Sequence, residues 1–282
     1  MSERIHNLGV LYADESGRGL THPFFVLILN ALRSRAEALG YNLVFIRPEP
    51  EEETADYIRR CRDCGVDGVC MVCVNFQAPS IRRLVESDIP CVTIDHFFRG
   101  VPAVLSDNET GVQKLVDYAV MKGHRKIAFI HGHNNSVVTR TRVSQFHNIM
   151  TYHELPVPAN YVLEGLYHDI GLTRKLVIEM LRMPDRPTCI LLPDDMAYLG
   201  AQDAARELGL RIPQDISFAG YDGIPLTQML SPKLTTVRQS SEDIGAMAAE
   251  RLVSLIERPE ATSRKPVVFP VALVEGDTIA AL

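Results

Sequence analysis

Several apolar runs in this chain end in groups that could do chemistry. "FAGY" leads into Asp222, "ILLP" into Asp194 and Asp195, "CVTI" into Asp95 and His96, "AVLS" into Asp107, and "NLGVLY" toward Asp14 and Glu15. His131 and His133 follow "IAFI", and Tyr167 follows "VLEGL". A carboxylate at the end of an apolar strand is costly to desolvate unless something pairs with it. One possible partner is a divalent metal in a hydrolase, with "HGH" at 131–133 as the best ligand pair, although alternate residues leaving a strand more often make hydrogen bonds. No G-x-G-x-x-G, P-loop, G-x-S-x-G or H-E-x-x-H stands in the chain, so neither a cofactor nor a catalytic set is expected, and no metal site. The other possible partner is a polyhydroxylated ligand. Ionised carboxylates accept from its hydroxyls, an arginine fork donates to it, and an aromatic ring covers its apolar face. Phe24, Phe25 and Tyr167 are the candidate faces, with one of the two phenylalanines expected in the core. Arg142, in "RTRVSQF", is the candidate fork, expected to precede or open a helix whose positive end faces the ligand. Three or four acids beside one arginine repel an anion and point to a neutral sugar or polyol.

The elements that must position these groups follow from periodicity. "NLGVLYADE" reads as a strand, and "HPFFVLILNALRSRAEALG" as a helix with a glycine stop. Strand and helix then alternate through "YNLVFIRP", "EEETADYIRRCRDCG", "VDGVCMVCV", "PSIRRLVESD" and "IPCVTID". A second series runs from "TGVQKLVDYAVMKG" and "HRKIAFIHG" to "DISFAGYD". Such alternation indicates parallel sheets covered on both faces, here an α/β chain of two doubly wound lobes with a boundary near Lys122 and Gly123. "SEDIGAMAAERLVSLIE" is a late helix and "KPVVFPVALVEGDTI" supplies one or two further strands, one piece for each lobe. The chain is therefore expected to cross between lobes more than once.

Composition sets the limits. The 282 residues are 46% apolar and 23% charged with a formal charge of −6, ordinary for a globular protein and unsuited to gripping a phosphate backbone unaided. No run is apolar for the roughly 18 residues of a membrane span and no secretory signal opens the chain, so the expected location is the cytoplasm, away from membranes. Cys61, Cys64, Cys70 and Cys73 spell C-x2-C-x5-C-x2-C, but Cys70 and Cys73 lie in a strand pattern that sends them to opposite faces. Reduced structural thiols are the expectation.

"RIPQDISFAGYDGIPLTQMLSPKLTTVRQ" (211–239) closely resembles the late segment of the lactose and galactose repressor family of bacterial transcription regulators, where a strand ends in G-[FY]-D before S-P-x-L-T-T-[VI]-x-Q. "GHRKIAFIHG" (123–132), "DNETG" (107–111), "PDDMAYLGAQDAARELGLRIPQD" (193–215) and "HPFF" (22–25) fall in the family's order, so the resemblance spans nearly all of the chain. It implies two lobes of the type I periplasmic-binding-protein kind joined by three crossovers, with residues 4–122 plus 239–265 in the N-terminal lobe and 123–238 plus 266–282 in the C-terminal one. It also implies a cleft that closes on a small-molecule effector, and a homodimer. Carried over by position, Phe24, Phe25, Asp107, Arg142, Tyr167, Asp194 and Asp222 are effector contacts, with Asp222 kept charged by ligand hydroxyls and neighbouring donors. Family members more often carry Asn at the position of Asp194, a change that favours a ligand offering donors. The family's helix-turn-helix has no counterpart here, so operator DNA would be reached only through a domain missing from this chain. The resulting reading is an effector-sensing core without enzyme activity. A solute-binding protein of a sugar transporter and a metal-assisted hydrolase are the alternatives.

Overall fold

Two six-stranded sheets, each flanked by helices, organise the chain, and each belongs to its own compact unit. The computed structural model describes residues 6–12, 22–47 and 56–282; Asp14 and Glu15 of the expected acidic rim lie outside them. The first unit contains Met1–Ser106 and Ser240–Phe269, the second Asp107–Gln239 and Pro270–Leu282.

In the first unit, β1 (Asn7–Tyr12), β2 (Asn42–Ile46), β3 (Gly68–Val72), β4 (Cys91–Ile94) and β5 (Ala103–Ser106) alternate with α1 (Pro23–Ala38), α2 (Tyr57–Asp63) and α3 (Pro79–Val85). The order β5-β4-β3-β1-β2 is parallel throughout, and every residue of β3 is buried, as a strand with helices on both faces requires. The late helix α9 (Ser241–Glu257) docks here, followed by β11 (Val267–Phe269), which adds parallel to β5. Acids Glu242 and Asp243 in its first turn suit the positive end of the helix dipole. Ile244, Ala248, Leu252 and Leu255 form its buried stripe, each large side chain contributing roughly 1.5–3 kcal/mol. Gly245 lets α9 approach α1 closely, since a Cβ there would lie 2.1 Å from the Ile28 carbonyl oxygen. Arg35 and Glu250 pair across the same contact at 2.7 Å.

The second unit repeats the plan. It is built from α4 (Asn108–Met121), β6 (Ile127–His131), α5 (Val137–Tyr152), β7 (Val162–Glu164), α6 (Ile170–Leu181), β8 (Cys189–Leu191), α7 (Ala197–Glu207), β9 (Ser217–Asp222), the single turn α8 (Pro225–Gln228) and β10 (Thr235–Arg238). Its sheet order is β10-β9-β8-β6-β7, with β12 (Ala272–Val274) antiparallel on β10. Gly200 brings α7 against α6 as Gly245 does for α9, a Cβ there falling 2.2 Å from the Ile170 carbonyl oxygen.

The lobe boundary differs from the one the sequence suggested. The units part at Ser106–Asp107, before α4, rather than at Lys122–Gly123 after it. The apolar face of α4 (Val112, Leu115, Val116 and Ala119) is buried in one cluster with Phe129, Phe146 and Val237, and Asp107 caps the helix by accepting from the Thr110 N–H at 3.0 Å. The late crossing also moves: β11 pairs with β5, so the chain changes unit between Phe269 and Pro270 rather than before residue 266. Among the described residues no helix is long and apolar enough to cross a membrane.

Candidate functional site

Doubly wound sheets bind ligands beyond the carboxyl ends of their strands, at the point where strand order reverses. In the second unit that point lies between β6 and β8. Asp222 ends β9 with φ 111°, a left-handed region that costs a residue bearing a side chain about 1–3 kcal/mol. Gln239 holds it there twice, its backbone N–H donating to the Asp222 carbonyl (3.2 Å) and its side-chain Nε2 to Oδ1 (2.7 Å). Burial pushes the Asp222 carboxyl well above the usual carboxylate range; the Arg142 guanidinium opposes this, and Asp194 and Asp195 add to it. The Gln239 amide pulls the same way as Arg142, toward the charged form.

Arg142 is only 5% exposed, so it is no surface arginine. It lies in the second turn of α5 rather than before or at the helix start, because the helix begins at Val137, where Ser136 accepts from the Thr139 N–H. Its Nε donates to Asn108 Oδ1 (2.8 Å) and its Nη1 to the Pro193 carbonyl (3.3 Å). Its guanidinium carbon stands 3.5 Å from the centre of the Tyr221 ring, a cation–π stack. The Tyr221 hydroxyl donates to the same Asn108 oxygen at 3.5 Å. Tyr167 is bonded to Thr139 (2.8 Å), and its ring lies so close over Gly132 that a Cβ there would be 2.1 Å away. Burial raises its phenol, against the pull of Arg142.

Other acids of the rim are engaged with the chain itself. Asp194 accepts the His168 backbone N–H on Oδ2 (2.6 Å) and that of Ala197 on Oδ1 (2.8 Å), joining the ends of two loops. Asp195, fully buried, accepts from the Ile224 N–H and the Thr227 hydroxyl, both at 2.9 Å, and from the Thr236 hydroxyl. Burial pushes its carboxyl up to about 7. His131 bonds the Gly132 carbonyl (2.7 Å) and His133 pairs with Glu164 (2.9 Å), so the two imidazoles serve separate partners. Among the described residues no three His, Cys, Asp or Glu side chains are grouped to hold a metal. All six cysteines are free thiols, and burial pushes Cys61 and Cys91 up to about 12.

At the strand ends of the first unit, rings cluster beside Asp95, which follows β4. Phe76 stacks flat on His96 at 4.2 Å and 3°, with Phe98 tilted against His96 at 4.6 Å. His22 caps α1, accepting the Phe25 N–H through Nδ1 (3.3 Å), and its ring leans on Phe25 at 4.4 Å. Phe24 turns into the core at 3% exposure while Phe25 stays partly open, so the adjacent pair divides as expected.

Residues 5–273 match the family model of periplasmic binding proteins and the sugar binding domain of the LacI family. The chain belongs to that family. Its LacI-type core is 30% identical over 253 residues to the ribose operon repressor of Halalkalibacterium halodurans, covering 89% of this chain and 73% of the relative. It is 29% identical over 264 residues to the HTH-type transcriptional repressor PurR of Vibrio vulnificus, covering 92% and 78%. Among solved structures, a regulatory protein of the LacI family from Chloroflexus aggregans is 26% identical with a TM-score of 0.85, over 97% of this chain and 98% of that one. Two of these relatives are repressors and the third is a regulatory protein.

Within this core, Arg142, Tyr167, Asp194 and Asp222 gather about the strand ends of the second unit, and Asp107 sits at a crossing between units as the cap of α4. Phe24 and Phe25 belong to the first unit. Sequence reasoning passed over Asn108, Tyr221 and Gln239, although each stands inside a quoted motif ("DNETG", "FAGYD", "TTVRQ"). The available signal was their adjacency to an acid or to a strand end.

Proposed function

We propose that this LacI-type core senses a neutral sugar or polyol, binding it through Arg142, Asp222 and Tyr167 of the second unit. The observation that carries the reading is the Arg142 guanidinium, buried and fixed by Asn108, the Pro193 carbonyl and the Tyr221 ring beside Asp222. A buried cation held in this way is an oriented donor, and the acid beside it offers oxygens to hydroxyl groups. In this reading Asp194 and Asp107 play a supporting part, consistent with their contacts: Asp194 fixes the loop that carries Tyr167, and Asp107 caps the start of α4, which carries Asn108. The ribose operon repressor among the relatives favours a pentose over a larger ligand. As in the family resemblance, the regulator works as a homodimer and reads operator DNA through a domain outside these 282 residues. Effector affinity is converted to a change in operator binding by preference for one of two conformations.

The test is thermal unfolding of the chain against pentoses, hexoses, polyols, nucleosides and divalent metals, since a ligand specific to the native state raises the midpoint by mass action. A sugar that raises it and is recovered unchanged supports the reading. A response to metal alone, with turnover of a substrate, overturns it.

A further inference from the structure

The stripe of α9 opposite its buried face forms a second candidate site. Met247, Glu250, Arg251, Ser254, Arg258 and Thr262 line an open basin of about 340 Å3 between the second half of this helix and the segment that follows it. Both of its charged donors are arginines. Nη1 of Arg251 is anchored by the carbonyls of Ser263 (3.0 Å) and Lys265 (2.8 Å), which fixes the guanidinium plane against the loop. Among the described residues its Nε and Nη2 make no hydrogen bond and no carboxylate pairs with it. Arg258 likewise makes no side-chain hydrogen bond or ion pair among the described residues. The one acid in the lining, Glu250, is already neutralised by Arg35 at 2.7 Å. The basin thus keeps two uncompensated positive charges on a chain whose formal charge is −6. Burial lowers the Arg251 guanidinium from its usual value, as expected of a cation withdrawn from water without an anion beside it. The Ser254 hydroxyl adds a further donor suited to tetrahedral oxyanions, while that of Thr262 donates to the Arg258 carbonyl (2.8 Å) and holds the loop at the rim.

We propose that this basin binds the phosphate group of a small phosphate monoester, with space beside the arginines for a sugar-sized remainder. Its volume is at the lower end of small-molecule sites. The ligand is distinct in charge from the neutral effector proposed for the second unit, so the core would answer to two metabolite signals.

Calorimetric titration of the whole chain with ribose 5-phosphate, inorganic phosphate and ribose, at low ionic strength, tests this. Ribose 5-phosphate is expected to bind saturably, at least tenfold more weakly to Arg258→Gln, whose replaced side chain holds nothing in the fold, and to Arg251→Gln. Inorganic phosphate binding as tightly as the ester, with the same dependence on Arg258, supports the site and makes free phosphate its ligand. No saturable binding of either phosphate overturns the proposal, as does equal affinity in Arg258→Gln. Loss of binding in Arg142→Ala alone also overturns it, by placing the phosphate in the second unit and leaving the effector reading to stand or fall by its own titration.

Discussion

Where β3 and β4 end in the first unit, Phe76, His96 and Phe98 lie ring against ring; near the ends of β8 and β9 in the second, directed bonds join Arg142 to Asn108, Asp222 to Gln239 and Asp194 to the backbone of His168 and Ala197. The two sheets share one strand order up to their last edge strand, so topology alone does not decide what stands at the strand ends. The ring cluster is positioned by packing, which tolerates small adjustments. The polar set is coupled: Arg142 orients Asn108, Gln239 clamps Asp222 in a strained backbone, and Asp222 lies within the field of the Arg142 guanidinium. Groups coupled in this way lose more than their own contacts when one is removed.

The largest expected effects test whether the two units are equally intolerant in their scaffolds. Gly245→Val in the first and Gly200→Val in the second each force a side chain onto a helix carbonyl and are expected to cost about 3 kcal/mol or more, read from denaturant unfolding. A much smaller cost in one unit would show that its helix pair can spread. Next comes Arg142→Ala, expected to weaken effector binding by about 2–3 kcal/mol in calorimetry, because buried acceptors lose a charged donor. Unchanged affinity would remove Arg142 from the site.

In the first unit the adjacent phenylalanines separate packing from recognition. Phe24→Ala should cost about 3 kcal/mol of stability with little change in affinity per folded molecule, as expected for a buried aromatic. Phe25→Ala should reverse the pattern, losing about 1 kcal/mol of binding, the scale of a single aromatic contact. If both variants move stability alone, the first unit's rings are core and the effector rests on the second unit's polar set.

The remaining test is a pH slope. The Asp195 carboxyl, up to about 7 when folded, starts from a value of roughly 4 when unfolded. Across that window the folded chain retains a proton that the unfolded chain has released, so stability falls as pH rises and levels off above 7. Asp222, shifted in the same direction, adds to the slope. The thermal midpoint should therefore be higher at pH 5 than at pH 8, and Asp195→Asn should flatten the difference. A midpoint that rises with pH would show that its three donors hold the carboxylate charged.

The alternation of elements was legible because buried parallel strands and amphipathic helices differ in period. The boundary at Ser106–Asp107 was not legible: the apolar stripe of α4 has the same spacing whichever sheet it covers, and only Phe129, Phe146 and Val237 decide which one that is. Asp222 announced itself as an acid ending an apolar strand. Asn108 and Gln239 did not, since neutral amides carry no desolvation penalty large enough to stand out, and their partners lie 34 and 17 residues away in the chain. The grouping of Phe76 with His96 was hidden by similar separation.

The three crossings between units, at residues 106, 239 and 269, also impose an order on synthesis. The helix α9, which covers α1, leaves the ribosome only after β6 through β10 have been made, and the edge strands β11 and β12 come later still. The first unit must therefore wait, with the face of α1 that will meet α9 uncovered, while nearly all of the second is translated. Neither sheet gains its last strand until the other is within a few residues of doing so, which makes the maturation of the two units a single event near the end of translation.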